Sequence, residues 1–318
     1  MKTIVFVMLQ MILASGILYG YYHLMLRNKR FHQYNRFFLL ASVIISVLMP
    51  FLGIPVYFEE TEIQSSMVLQ TLQTISSPGP ENETLITSAA VSPAVSTPFN
   101  WNVILYVVYA VAAFLLFVRM LISLKKILTI IKNNPVEDLN GVRFINTLEP
   151  GTPYSFFRWL FWNKKIELRS EKGEQVFRHE IFHIQQKHSV DIIFMELLTI
   201  VFWINPFFHL MKKEIKAIHE FLADQFAAHK TEKWEYAELL LMQALNTQQH
   251  LVNPFFHNQI KRRIAMITNP KKTSHRYLRK LLVLPLAAIV LILFAFKYKN
   301  KTAADTTRVK DNDCDDKD

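Results

Sequence analysis

Two histidines four residues apart, with a glutamate beside the first, stand in the segment Arg178-His179-Glu180-Ile181-Phe182-His183. On a helix, residues i and i+4 lie one above the other on the same face. Both imidazoles can then reach one metal ion. Glu180 would sit beside water bound to that ion and could take its proton. The five-residue pattern His-Glu-x-x-His also arises by chance. Its weight therefore depends on whether the rest of the chain supplies a third ligand, a fold and a compartment.

A catalytic zinc has three protein ligands and one open position. The later candidates are His188, His209, His219, Glu220, His229, His250 and His257. His188 stands five residues after His183, which on one continuous helix points it elsewhere. Glu220 is the strongest, because Asp224 lies four residues on and shares its helical face. A carboxylate ligand with a second carboxylate orienting a ligand histidine is a recurrent arrangement. A solvated charge on a helix face is the plainer alternative for Glu220. His219 ranks second as ligand.

The elements that must position these residues can be read from composition. The 318-residue chain is 51% hydrophobic with 25 Phe and only 7 Gly, which suits one folded domain plus membrane spans. Its formal charge of +10 comes largely with Lys and Arg flanking apolar runs, a membrane signature more than a nucleic-acid one. A single cysteine, Cys314, excludes an internal disulfide framework and a cysteine-based zinc site.

In order, residues 1–58 read as a transmembrane helical hairpin whose turn carries Arg27, Lys29, Arg30 and Arg36. Residues 59–100 lack Lys and Arg and are rich in Ser, Thr and Pro, which reads as an external flexible loop. Residues 101–124 form a third span, 125–280 a mixed domain, 281–296 a short fourth span, and 297–318 an external disordered tail. The charge bias places both termini outside and the domain inside.

Within the domain, Val142 to Asn146, Tyr154 to Phe161 and Ile166 to Leu168 read as extended. Helices follow at Gly173 to His188, Val190 to Met211, Lys212 to His229, Trp234 to Asn246 and Gln259 to Met266. Val190 to Met211 is apolar enough to span a membrane. If it did, Glu220 would be separated from His179 and His183 by the bilayer. A shared ion therefore requires an α-hairpin here, and Asp191, Glu196 and the Asn205-Pro206 break favour it.

With Glu220-Phe221-Leu222-Ala223-Asp224 placed 37 residues after His183, the pattern resembles the glutamate-zinc, or gluzincin, sequence HExxH…ExxxD. Three spans before it, Trp203-Ile204-Asn205-Pro206-Phe207 between the ligands, a Lys-Arg-Arg-Ile segment and one span after it narrow the likeness. Together they resemble the BlaR/MecR-type antirepressor membrane metallopeptidases. The resemblance implies a mainly α membrane protein with four transmembrane helices. A cytoplasmic α+β zinc metalloprotease domain would lie between the third and fourth. It implies Zn2+ held by His179, His183 and Glu220, with Glu180 as catalytic base and Asp224 behind the ligands. It further implies a bacterial inner-membrane signalling protease that cleaves itself and a BlaI/MecI-type helix-turn-helix repressor.

No counterpart of the penicillin-binding-like sensor of the family's antibiotic receptors is expected after 296, where 22 residues follow without a Ser-x-x-Lys motif. The expected partners are a protein substrate, the lipid bilayer and, as an open option, further copies of the chain, with no direct nucleic-acid contact. Alternatives are a quality-control membrane protease of the heat-shock type and a non-proteolytic zinc scaffold. His209, Tyr236 and His257 are candidates for stabilising an oxyanion, and the Tyr154–Phe161 stretch for binding substrate backbone.

Overall fold

A computed structural model describes residues 2–52, 54–58, 101–139, 141–228, 233–247, 254–268 and 276–300. The expected loop at 59–100, Cys314 and most of the 297–318 tail lie outside these residues, as do His229 and His250. The chain divides into two units. One comprises Met1–Leu52 and Leu105–Ala295, the other Gly53–Ile104 and Phe296–Asp318.

Three helices are long and apolar enough to cross a membrane, covering Val5–Leu26, His32–Phe51 and Val103–Asn133. They comprise α1 (Lys2–Tyr21, continued by a π turn at Tyr22–Leu26), α2 (His32–Leu48, continued to Phe51) and α3 (Trp101–Asn133). The third helix runs past the expected end at Leu124. Lys125 and Lys126 sit on its exposed surface and do not terminate it.

A four-stranded sheet follows, built from β2 (Val136–Leu139), β3 (Val142–Thr147), β4 (Tyr154–Phe156) and β5 (Trp159–Asn163). Its order is β2-β3-β5-β4, with β3 and β5 parallel and the outer strands antiparallel to their neighbours. Tyr154 to Phe161 is therefore a tight hairpin and not one strand. Phe157 at its tip has a φ of 52°, and its N–H donates to the Ser189 hydroxyl at 2.8 Å. The expected strand at Ile166 to Leu168 is a turn. Asn163 accepts from the Lys165 N–H and the Ile166 N–H closes back on the Asn163 carbonyl. Asx turns of this kind win over a three-residue β-propensity signal.

The motif helix is α4 (Glu171–Gln185). Ser170 caps it, accepting from the Gly173 N–H, and Glu171 and Glu174 complement the positive end. A Cβ on Gly173 would stand 2.0 Å from the Glu167 carbonyl oxygen, so this first turn fits only glycine. Phe177, Ile181 and Ile184 pack one face of α4 onto Phe144, Leu160 and Trp162 of the sheet. The helix ends at Gln185, short of the expected His188, because Lys187 turns left-handed with a φ of 54°.

His188 instead opens α5 (His188–Val201), which turns back at Phe202–Asn205 into α6 (Pro206–Ala227). Asn205 caps α6 by accepting from the Phe207 N–H, with Pro206 in the first turn. The stretch that hydropathy alone would pass as a span is thus an α-hairpin. Helices α7 (Lys233–Thr247), α8 (Pro254–Thr268), α9 (Arg276–Leu281) and α10 (Val283–Ala295) complete this unit. At 13 residues, α10 is about 20 Å long, shorter than an average hydrocarbon core of about 30 Å. In the second unit β1 (Ile54–Phe58) pairs in parallel with β6 (Phe296–Asn300).

One core joins the α1–α2 hairpin to α6. Leu18, Tyr22, Leu26, Phe38, Leu39 and Val43 meet Phe208, Met211, Ile215, Ile218 and Leu222 there. At its edge Glu214, 4% exposed, takes a bidentate pair from Arg262 of α8 at 2.8 and 3.1 Å. It also accepts from Tyr22 and pairs with Arg27. Glu214→Ala would leave Arg262 unpaired and half-buried, a loss of about 3 kcal/mol. Thermal unfolding in detergent should show it as a clear drop in midpoint. Glu196→Ala, which breaks the more exposed pair with Lys212, should cost under about 1 kcal/mol.

Candidate metal centre

Packed antiparallel, α4 and α6 bring His179, His183 and Glu220 together, with one ligand atom from each within 4.8 Å of the others. The two histidine Nε2 atoms are 3.1 Å apart. Glu220 oxygens lie 3.5 Å from the His179 Nε2 and 3.7 Å from the His183 Nε2. A tetrahedral ion with bonds of about 2.0–2.2 Å separates its ligands by about 3.3–3.6 Å. The three side chains therefore fit a single ion of that kind, and the donor set of two imidazoles and a carboxylate suits zinc chemistry.

Ligation through Nε2 needs each Nδ1 to carry the proton and have an acceptor. The Nδ1 of His179 lies 3.2 Å from Asp224 and 3.1 Å from the Tyr236 hydroxyl. Tyr236 in turn donates to Asp224 at 3.0 Å. The Nδ1 of His183 lies 2.7 Å from the Nδ1 of His188. Both rings are thus oriented from behind.

Arg263 of α8 closes the acidic side. It binds Asp224 through two nitrogens at 2.6 and 2.8 Å and Glu220 through a third at 2.9 Å. The Lys261-Arg262-Arg263 run, a basic cluster in sequence, thus spends both arginines on ion pairs.

The charges are unevenly held. Burial, the largest influence on His179, opposes its charge, yet Asp224 and Glu220 outweigh it and push the imidazole up to about 10. Burial, then the His179 charge, holds His183 down to about 4. Burial alone would raise Glu220, but the His179 hydrogen bond and the Arg263 charge hold it well below the usual carboxylate range. One positive charge is therefore favoured on His179, between Asp224 and Glu220, and a second on His183 is disfavoured.

Glu180 is 9% exposed and its acidity is weakened, chiefly by burial. The His179 charge and a hydrogen bond from Ser155 of β4 pull the other way.

These groups line a cavity of ≈ 520 Å³. Tyr154, Ser155 and Phe156 of β4 form one wall, and Tyr236, Leu240, Ile260 and Arg263 lie across it. Among the described residues β4 pairs only with β5, so its other edge is open.

The other sequence candidates fall elsewhere. His219 lines the cavity but bonds Asp191 at 2.9 Å, not the ion position. His209 is exposed and its ring meets the Trp203 carbonyl, away from the centre. His257 lies in the first turn of α8. Tyr236 stands behind His179 as a hydrogen-bonding support. Sequence reasoning set His188 aside as a ligand and assigned no role at this centre to Arg263 or Ser155. An acidic pair at Glu220 and Asp224 facing inward calls for a cation, and that was the signal for Arg263.

His179, His183 and Glu220, a group that could hold a metal ion, stand with buried Glu180 in the part of the chain that is matched to a metallopeptidase, a metal-dependent hydrolase of peptide bonds. Residues 164–267, about a third of the chain, match the family model described as BlaR1 peptidase M56. That segment runs from the end of β5 through α8 and contains His179, Glu180, His183 and Glu220. No curated protein matches the chain.

Tyr236 offers a contained test. Tyr236→Phe keeps the ring in its pocket among Ala227, Ala228, Leu240 and Ile267 but removes the hydroxyl. Zinc affinity should fall about tenfold, measured by competition with a chromophoric chelator. An unchanged affinity would remove Tyr236 from the support of His179.

Proposed function

We propose that the chain is an integral-membrane zinc metalloendopeptidase of the BlaR/MecR type. It acts in signal transduction by cutting itself and a cytoplasmic helix-turn-helix repressor of the BlaI/MecI class. The observation that carries the reading is the meeting of His179, His183 and Glu220 with buried Glu180 under the open edge of β4.

In this reading His179, His183 and Glu220 hold the metal. A zinc ion held there would supply Lewis acidity, polarising the scissile carbonyl and lowering the pKa of bound water towards about 7. Glu180 takes the water's proton and returns it to the leaving amine. Its burial-weakened acidity suits both transfers. The substrate backbone adds to the free edge of β4, which aligns the scissile bond across the cavity. Asp224 and Tyr236 keep His179 in the ligating tautomer, and Arg263 fixes the Glu220 carboxylate.

The membrane placement rests on three features. The basic flanks at Arg27 to Arg36 and the acidic 59–100 loop favour a cytoplasmic protease domain. The parallel pairing of Ile54–Phe58 with Phe296–Asn300 supports putting the 59–100 loop and the tail on one side.

The α5–α6 hairpin meets α1 halfway along its span. There Ser15 bonds Asn205 at 3.0 Å, and a Cβ on Gly16 would touch the Phe207 ring at 2.9 Å. Tyr109 of α3 donates to the Val201 carbonyl close by. Ser15 lies about 15 Å from either end of the Val5–Leu26 helix. This depth favours a hairpin tip that dips into the bilayer from the cytoplasmic side, its buried polar groups satisfied within the protein.

Incubating the full-length chain in detergent with a purified BlaI/MecI-type repressor tests the substrate. The expected result is two stable fragments from one cut, seen by mass spectrometry. An intact repressor, beside degradation of unfolded proteins to short peptides, would overturn the reading for a quality-control protease.

A further inference from the structure

Arg36, in the first turns of α2, was expected among the basic residues at the turn of the membrane hairpin. It is instead 6% exposed and sits on the corner between α4 and α5. Its Nε donates to Asp191 at 2.6 Å and a terminal nitrogen donates to the Gln186 carbonyl at 2.8 Å. Gln33, one turn earlier, bonds the Gln186 side chain.

Asp191 shares the oxygen bound by Arg36 with His219, at 2.9 Å. The His219 ring stacks on His188, with centroids 3.9 Å apart and planes 8° from parallel. The Nδ1 of His188 is the 2.7 Å partner of the His183 Nδ1.

We propose that Arg36 is a positioning residue of the metal centre, linking the membrane hairpin to ligand His183 through Asp191, His219 and His188. The inference rests on the assignment of His183 as a metal ligand. The chemistry of that assignment sets the direction of each bond. His183 must donate through Nδ1, so His188 accepts through Nδ1 and carries its own proton on Nε2. That buried Nε2 has no hydrogen-bond partner among the described residues. Such an orphan is costly. Its position is therefore imposed by the His219 stack and by the contact with His183.

His219 donates through Nε2 to Asp191, and Asp191 accepts from both His219 and Arg36. Burial would raise Asp191, but these two bonds hold it ionised. A buried ion pair adds little net stability, and specifying one geometry is its better-attested use. The geometry specified here is that of the left-handed corner at Lys187, which sets His188 against His183. A shift of α2 against that corner is transmitted to a metal ligand without any contact between the hairpin and the metal itself.

The test uses full-length chain in detergent, stripped and reloaded with Co2+, whose visible absorption reports the ligand field. Arg36→Met should weaken Co2+ binding by about tenfold or more and shift its absorption bands, while unfolding stays cooperative. His188→Gln should do the same. Lys212→Met, which removes an ion pair from the same α5–α6 hairpin, should match the native spectrum and affinity.

Native spectrum and affinity in a folded Arg36→Met chain would overturn the link. If that variant does not fold, native values in His188→Gln would overturn it equally. Failure of the native chain to bind Co2+ is a different result, and it would sink the assignment of the centre itself.

Discussion

A Glu180→Gln chain should take up metal like the native chain and hydrolyse peptides about 10²–10⁴-fold more slowly. Glutamine keeps the size of the side chain and its contact with Ser155, but it cannot accept a proton. The neighbouring carboxylates are engaged elsewhere. Asp224 is committed to Arg263, Tyr236 and His179, and Glu220 to the ion position and Arg263. Metal content by mass spectrometry, measured beside hydrolysis of a quenched fluorescent peptide, separates this outcome from a loss of binding. Native hydrolysis rates in the variant would remove Glu180 from the mechanism. Loss of metal would make it a part of the binding site.

The second large effect concerns Glu220. Glu220→Ala should lower zinc affinity by about 100-fold or more and bring hydrolysis to background. The fold should survive, because Arg263 keeps its two bonds to Asp224 and the helix keeps its buried face. His183→Ala should match it in metal loss. Equilibrium dialysis gives the affinity, and circular dichroism with thermal unfolding checks the fold. A Glu220→Ala chain that binds zinc as tightly as the native one would return Glu220 to the status of a charge on a helix face.

The parts of the centre that are local in sequence were legible. His179, Glu180 and His183 share one helix, and Glu220 and Asp224 share another. The demand that both sets meet predicts the α5–α6 hairpin, where hydropathy alone suggests a span. What could not be read was set by single backbone angles or by distant pairs. The left-handed Lys187 ends α4 early and swings His188 behind His183, whereas helical periodicity had pointed His188 away. Phe157 folds an apparently single strand into a hairpin.

Arg36 and Asp191 are 155 residues apart, and Arg262 and Glu214 are 48 apart. No local pattern pairs them. The hint available was chemical. Asp191 stands in an apolar helix and Glu214 in line with the apolar positions Met211, Ile215 and Ile218, and a buried carboxylate needs a partner. Four basic residues at the turn of a membrane hairpin read equally well as cytoplasmic flanks, and that reading hid Arg36.

Titrating zinc into the metal-stripped full-length chain, with peptide hydrolysis as the readout, tests the central claim most directly. Hydrolysis should be absent at the start and rise linearly until it saturates at one zinc per chain. Hydrolysis that is present before zinc is added and indifferent to it would contradict a peptidase built on His179, His183 and Glu220.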